Sequence, residues 1–194
     1  IDMVTDDPRQ HQWILFQKVL FDNHPAKNPT YGTKETVKAI SRKDTIDYCK
    51  ANYVPKNMII SVVGNVDNVN VNIEKYLSGL SQGRPVQRPA VNEPKQTKLK
   101  KFVEKKKTLN SYMVLGYKTF PRTHKDSYVF EIIAAILGRG QSGWIFDEIR
   151  AKRGLAYQVG VNNESESDYW FFAVFSSLDK SNLEKAKELI LQQF

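Results

Sequence analysis

Arg150 and Tyr157, seven residues apart in "IFDEIRAKRGLAYQVG", bring a permanent cation and a phenol to the same corner of the chain. A guanidinium is always charged and carries five N–H donors, and a neutral phenol adds an O–H. Both can hold a carbonyl oxygen, or the oxyanion that develops when a carbonyl is attacked. The local pattern predicts how they are presented. Ile145, Phe146 and Ile149 recur at helical spacing, Gly154 stands where a left-handed residue ends a helix, and Leu155 to Val161 alternates as a strand does. That reads as a helix, a sharp turn and a strand, with Arg150 in the last helical turn and Tyr157 just past the corner. A purely structural role is also open. A cation suits a helix C-terminus through the helix dipole, and Tyr157 can serve packing.

Other motifs carry less. "GRGQSG", Gly138 to Gly143, has the glycine spacing of a dinucleotide-binding turn. Such a turn follows a strand, whereas Val129, Ile132, Ile133, Ile136 and Leu137 before it have helical spacing, so a link between helices is expected. Ser142 lacks the second glycine of a nucleophile elbow, because Trp144 stands there. His11, His24 and His124 are scattered, none opens an H-x-x-E-H or H-E-x-x-H run, and there is one cysteine, Cys49. A zinc site within this chain is therefore not expected, and His24, before Pro25, reads as structural. No acid–base pair or triad announces itself.

The elements that must position Arg150 and Tyr157 follow from periodicity and capping. Asp7 and Pro8 open a helix to about Phe21, a short helix lies near Lys34–Ile40, and Ser41 with Asp44 starts another to about Asn52. "NMIISVVG", Asn57 to Gly64, reads as a buried strand, and three prolines between Ser81 and Gln96 mark a linker. Strands are predicted near Lys98–Lys106, Leu109–Lys118, Tyr157 and "DYWFFAVF", with a last helix from near Ser181. Mixed rather than strictly alternating elements predict an α+β fold.

Composition narrows the class. The 194 residues are 41% hydrophobic and 26% charged, which is globular, and no apolar run approaches the roughly 20 residues of a membrane span. The net charge of +8 is mostly local. "KQTKLKKFVEKKK", Lys95 to Lys107, holds seven lysines, one glutamate, one aromatic residue and no arginine. A lysine-rich outer face that blunts edge pairing is expected there, not a nucleic-acid surface. A lone cysteine leaves the compartment open: cytoplasmic, periplasmic or organellar. The chain opens without Met and closes inside a helical pattern, so it is expected to be a piece of a longer protein.

"ILGRGQSGWIFDEIRAKRGLAYQVG" resembles a segment of the second domain of insulinase/pitrilysin-type zinc metallopeptidases. "LFDNHPAKNPTYGTKETVKAISRKDTIDYCKANYVPKNMIISVVGNVD" resembles the part of that family just before its interdomain linker. Together they span nearly the whole chain in the family's order. The resemblance implies a largely antiparallel sheet covered by helices. It further implies second-half elements of one domain over residues 1–80, a linker over 81–96, and first-half elements of the next domain over 97–194. The family's zinc ligands and general base sit in an H-x-x-E-H helix upstream of the region equivalent to Ile1, so zinc is implied in a metal-bearing domain or partner subunit, and this chain alone is expected to be inactive. At the positions of Arg150 and Tyr157 the family places an arginine and a tyrosine that bind a peptide or small-protein substrate. The sequence departs at Trp144, where many relatives have arginine. A non-catalytic subunit or structural homologue of the same family is the alternative. The two halves together hold one set of elements, so Asn57–Gly64 is expected to join the sheet of the later strands. The linker is long enough to close that unit within one chain or to swap halves in a homodimer.

Overall fold

The computed structural model of the chain describes residues 1–67, 69–87 and 89–194, with the backbone alone at Val69 and Val71. It divides into two compact units, one of Ile1–Gly32 with Ala90–Phe194, the other of Thr33–Pro89.

The first unit is α+β. Helix α1 is Asp2–Asp6 and helix α2 is Pro8–Leu20, with the Asp7 carboxylate accepting from the Arg9 N–H at 2.9 Å and Pro8 at the first position, as the sequence predicts. Strands β1 (Ser111–Tyr117), β2 (Ala156–Ser165) and β3 (Trp170–Leu178) form an antiparallel sheet in the order β1-β3-β2. Helix α6, Ser127–Gly138, and helix α8, Leu183–Leu191, complete the unit with the short helix α7, Trp144–Phe146. The central strand β3 alternates between two cores. Phe172, Val174 and Leu178 pack with Leu137, Ile145, Ile149, Ala186 and Ile190, while Phe171 and Ala173 pack with Leu20, Phe21, Trp13 and Phe16. Helix α2 therefore covers one face, and α6, α7 and α8 the other. Gly116 in β1 is required by closeness: a Cβ there would lie 2.5 Å from the Phe172 carbonyl oxygen.

The second unit holds helices α3 (Lys34–Ala39), α4 (Arg42–Asn52) and α5 (Val69–Leu77). Ser41 and Asp44 make the expected capping box. The expected strand Asn57–Gly64 does not form. Pro55–Asn57 is a 3-10 turn, Met58–Val63 has no ladder partner among the described residues, and Ile59 is 98% exposed. The expectation that this segment joins the sheet is thereby corrected: the described sheet has three strands and Asn57–Gly64 is not one. An apolar, β-branched run favours an extended backbone, but a strand requires a neighbour's amides and carbonyls.

Lys98–Lys106 is likewise extended without being a strand. Its anchors are side chains: Lys100 Nζ to Asp22 Oδ1 at 2.6 Å, Glu104 Oε1 to His11 Nε2 at 3.1 Å, and Lys106 Nζ donating to the Thr5 carbonyl at 2.8 Å. Just before it, Glu93 accepts from the backbone amides of Asp22 (2.8 Å), Asn23 and His24 (both 2.7 Å) and from Lys118 Nζ at 2.5 Å. Burial pushes the Glu93 carboxyl up, but the lysine and three amides together outweigh it and hold it at about 2. Because the folded value is depressed, this stabilisation is full above the ordinary glutamate range and is lost as pH falls toward 2. Glu93→Gln keeps the shape and removes the charge. It is expected to cost about 2 kcal/mol near neutral pH and to flatten the fall of Tm between about pH 5 and 2, as read by thermal melts across that range.

Candidate functional site

Arg150 and Tyr157 flank one turn, and each sits on a backbone irregularity. Helix α7 runs into a π-helical turn, Asp147–Ala151, in which the Lys152 N–H donates to the Asp147 carbonyl at 2.8 Å. One extra residue per turn rotates the side chains that follow, a device frequent at functional sites. Gly154 then ends the turn at φ +60°, its N–H donating to the Arg150 carbonyl at 3.0 Å. Space does not demand the glycine, since a Cβ would meet nothing within 4 Å; the left-handed backbone does. On the far side, Ala156 pairs with Leu178 and Gln158 with Ser177, so Tyr157 is the extra residue of a β-bulge. Ile149, Leu155 and Ala156, all buried in one cluster, anchor both sides of the turn.

The Arg150 guanidinium is exposed and lies over the Phe146 ring, 5.3 Å from its centroid. Nearby carboxylates are engaged elsewhere, Asp147 by Lys152 at 2.7 Å and Glu148 by Arg153 at 2.6 Å. Among the described residues no carboxylate pairs with Arg150, so its fork of donors faces water. Tyr157 is 56% exposed and its hydroxyl donates to Asp179 Oδ2 at 3.2 Å. That hydrogen bond, then the carboxylate's charge, then burial push the phenol above its ordinary value. Tyr157 therefore keeps its proton, and its donor capacity, throughout the neutral range. No hydrogen bond joins the Arg150 and Tyr157 side chains among the described residues; what they share is the turn and its anchor.

Sequence reasoning did not find Asp179, 22 residues from Tyr157, which is brought to it by the β2–β3 pairing and held just past the buried Leu178. Nor did it find the π turn or the bulge, both defects of backbone register without a compositional mark. The glycine-rich "GRGQSG" is, as expected, a link between helices, with a 3-10 turn at Gly140–Ser142 after α6. Trp144 begins α7 and is exposed. Among the described residues no group of three or more His, Cys, Asp and Glu side chains could hold a metal ion.

The fold and this site define an α+β domain that presents two hydrogen-bond donors beside a rigid turn. The chain belongs to the family described as the peptidase M16 inactive domain, which it matches over residues 39–194. It is 32% identical over 168 residues to an uncharacterized zinc protease of Mycobacterium leprae, covering 82% of this chain and 37% of that protein. An uncharacterized zinc protease of Bacillus subtilis is 26% identical over 194 residues, covering 98% and 46%. The fold superposes on a protease from Helicobacter pylori with a TM-score of 0.86 at 24% identity, over 98% of this chain and 49% of that one. A peptidase M16 inactive domain from Pseudomonas fluorescens gives 0.78 at 17% identity, over 98% and 48%. The chain thus spans less than half the length of these proteins, and it is a non-catalytic portion of its family's architecture.

The phenol's upward shift has a direct readout. Because the folded value is raised, the Asp179 bond is intact below the ordinary tyrosine range and is lost as pH climbs through the folded value. In alkaline absorbance titrations, the difference between wild type and Tyr157→Phe is expected to place this tyrosinate above the ordinary pH of about 10. Asp179→Asn is expected to bring it back down.

Proposed function

We propose that this chain is the substrate-binding, C-terminal-domain portion of a zinc metalloendopeptidase whose metal is carried by an H-x-x-E-H-bearing domain or subunit. The observation that carries the reading is the pair of exposed donors: a guanidinium with no carboxylate partner among the described residues and a phenol that keeps its proton, set on either side of one core-anchored turn. Membership of a peptidase family and relatives named as zinc proteases support it. The work of this chain's residues is to hold a peptide. Arg150 and Tyr157 donate to a backbone carbonyl oxygen of the substrate, and the contacts strengthen as negative charge gathers on that oxygen. The guanidinium arrives already charged and the phenol already protonated, so neither needs a proton transfer before it binds. The cost to be met is release of the phenol from Asp179, because one O–H cannot donate fully to two acceptors at once.

The test is steady-state cleavage of a peptide by the protein with its metal-bearing part restored, with this chain alone as the inactive blank. Arg150→Ala and Tyr157→Phe are each expected to lower kcat by about 10–100-fold with a smaller change in KM, since the donors matter most at the transition state. Wild-type kinetics in both variants would make the pair structural.

A further inference from the structure

Ion pairs do not set the direction of the Arg150 side chain. The carboxylates of Asp147 and Glu148 close on Lys152 and Arg153, and among the described residues none pairs with Arg150. An exposed arginine in that state samples many rotamers, and that freedom must be given up whenever a ligand is bound. What its charge does meet is the Phe146 ring, whose centroid lies 5.3 Å from the Arg150 Cζ. Phe146 stands four residues earlier, the spacing that brings side chains together along one side of a helix. The ring is itself held. Phe146 is half-buried and packs against the core cluster of Ile145, Ile149 and Leu155, the cluster that anchors both sides of the turn. A fixed aromatic ring therefore underlies a long, exposed cation.

We propose that Phe146 is a positioning residue for Arg150: its ring sets the direction of the guanidinium while leaving the N–H donors free for a substrate oxygen. This inference rests on the reading of Arg150 as a substrate donor. The chemistry of the platform is what matters. A carboxylate would orient the guanidinium more tightly, but it would accept two of the N–H groups and offset the charge that a substrate oxygen needs. A ring attracts the cation through its quadrupole and is not an oxygen acceptor, so orientation and donor capacity are kept together. An aliphatic side chain of similar size would fill the space without attracting the cation. Tyr157 is placed by the opposite means, since its one proton is given to Asp179 and must be released before it can serve a substrate. Arg150 has no such bond to break among the described residues. An ammonium at this position would keep the attraction to the ring but lose the planar fork.

The experiment has a spectroscopic arm and a kinetic arm. In the chain alone, the Arg150 Nε–Hε signal, assigned by its loss in Arg150→Ala, is followed in ¹H–¹⁵N correlation spectra. The ring current is expected to place it upfield of the other exposed arginines. Phe146→Leu, which keeps an apolar side chain and removes the ring, is expected to return it to their range. In steady-state peptide cleavage by the protein with its metal-bearing part restored, Phe146→Leu is expected to lower kcat about three- to fivefold with KM little changed. Phe146→Tyr, which keeps the ring, is expected to retain the wild-type kcat. In an Arg150→Ala background Phe146→Leu should have no further effect, a coupling that general loosening of the fold would not produce. An Arg150 signal within the range of the exposed arginines would overturn the proposal, and that readout stands even if leucine at position 146 disturbs the fold. So would additive losses in the double variant, or a wild-type kcat in Phe146→Leu while Arg150→Ala is impaired. Wild-type kinetics in Arg150→Ala itself would instead overturn the donor reading, and the positioning role with it.

Discussion

Burial of β3 on both faces is the constraint from which the rest of the first unit follows. Phe171, Phe172, Ala173, Val174, Ser176 and Leu178 are each at most 1% exposed, in a strand whose alternate residues serve different cores. A strand that must be covered on both sides reads as a nearly continuous apolar run, which "WFFAVF" is. Shifting its register by one residue would exchange the two sets of side chains between α2 and the α6–α8 face, so the pairing is strongly specified. The strand's end is what matters for the site. Leu178, wholly buried, pairs with both Ser111 and Ala156, so Asp179 leaves the sheet from a fixed point and meets Tyr157 at the bulge. Placing the phenol therefore requires no flexible loop.

The helix ends were readable because capping is local chemistry. Asp7 with Pro8, Ser41 with Asp44, and Gly154 each satisfy or release backbone groups within a few residues, and each stands where the pattern predicts. Strands were readable only where a partner exists. Leu109–Lys118 and "DYWFFAVF" found one another across some sixty residues, whereas Asn57–Gly64 and Lys98–Lys106, equally extended by composition, did not. Strand propensity describes a fit to a half-buried pleated surface, and without that surface it specifies only an extended chain. The π turn at Asp147–Ala151 and the bulge at Tyr157 were illegible for a different reason. Both are one-residue insertions in a hydrogen-bond register, and nothing in side-chain type separates them from regular backbone.

Those two irregularities give Arg150 and Tyr157 their availability. An arginine in a regular final turn beside Asp147, Glu148, Lys152 and Arg153 would be expected to join their ion pairs. Here the pairs close among the other four, and the guanidinium is left over the Phe146 ring. The phenol is held more actively, by a carboxylate that also keeps it protonated. The result is an exposed guanidinium with its donors turned outward and a phenol whose one proton is already given to Asp179.

The most direct test of the two donors compares two inhibitors that differ at one position, against the protein joined to its metal-bearing part. One is a peptide phosphonate, whose anionic oxygens imitate the developing oxyanion; the other is the same peptide with a methylene in place of the carbonyl, which offers the donors nothing. Arg150→Ala and Tyr157→Phe are predicted to weaken the phosphonate by at least about tenfold each while leaving the methylene peptide unchanged. Wild-type affinity for the phosphonate in both variants, or equal losses for the two inhibitors, would contradict the account.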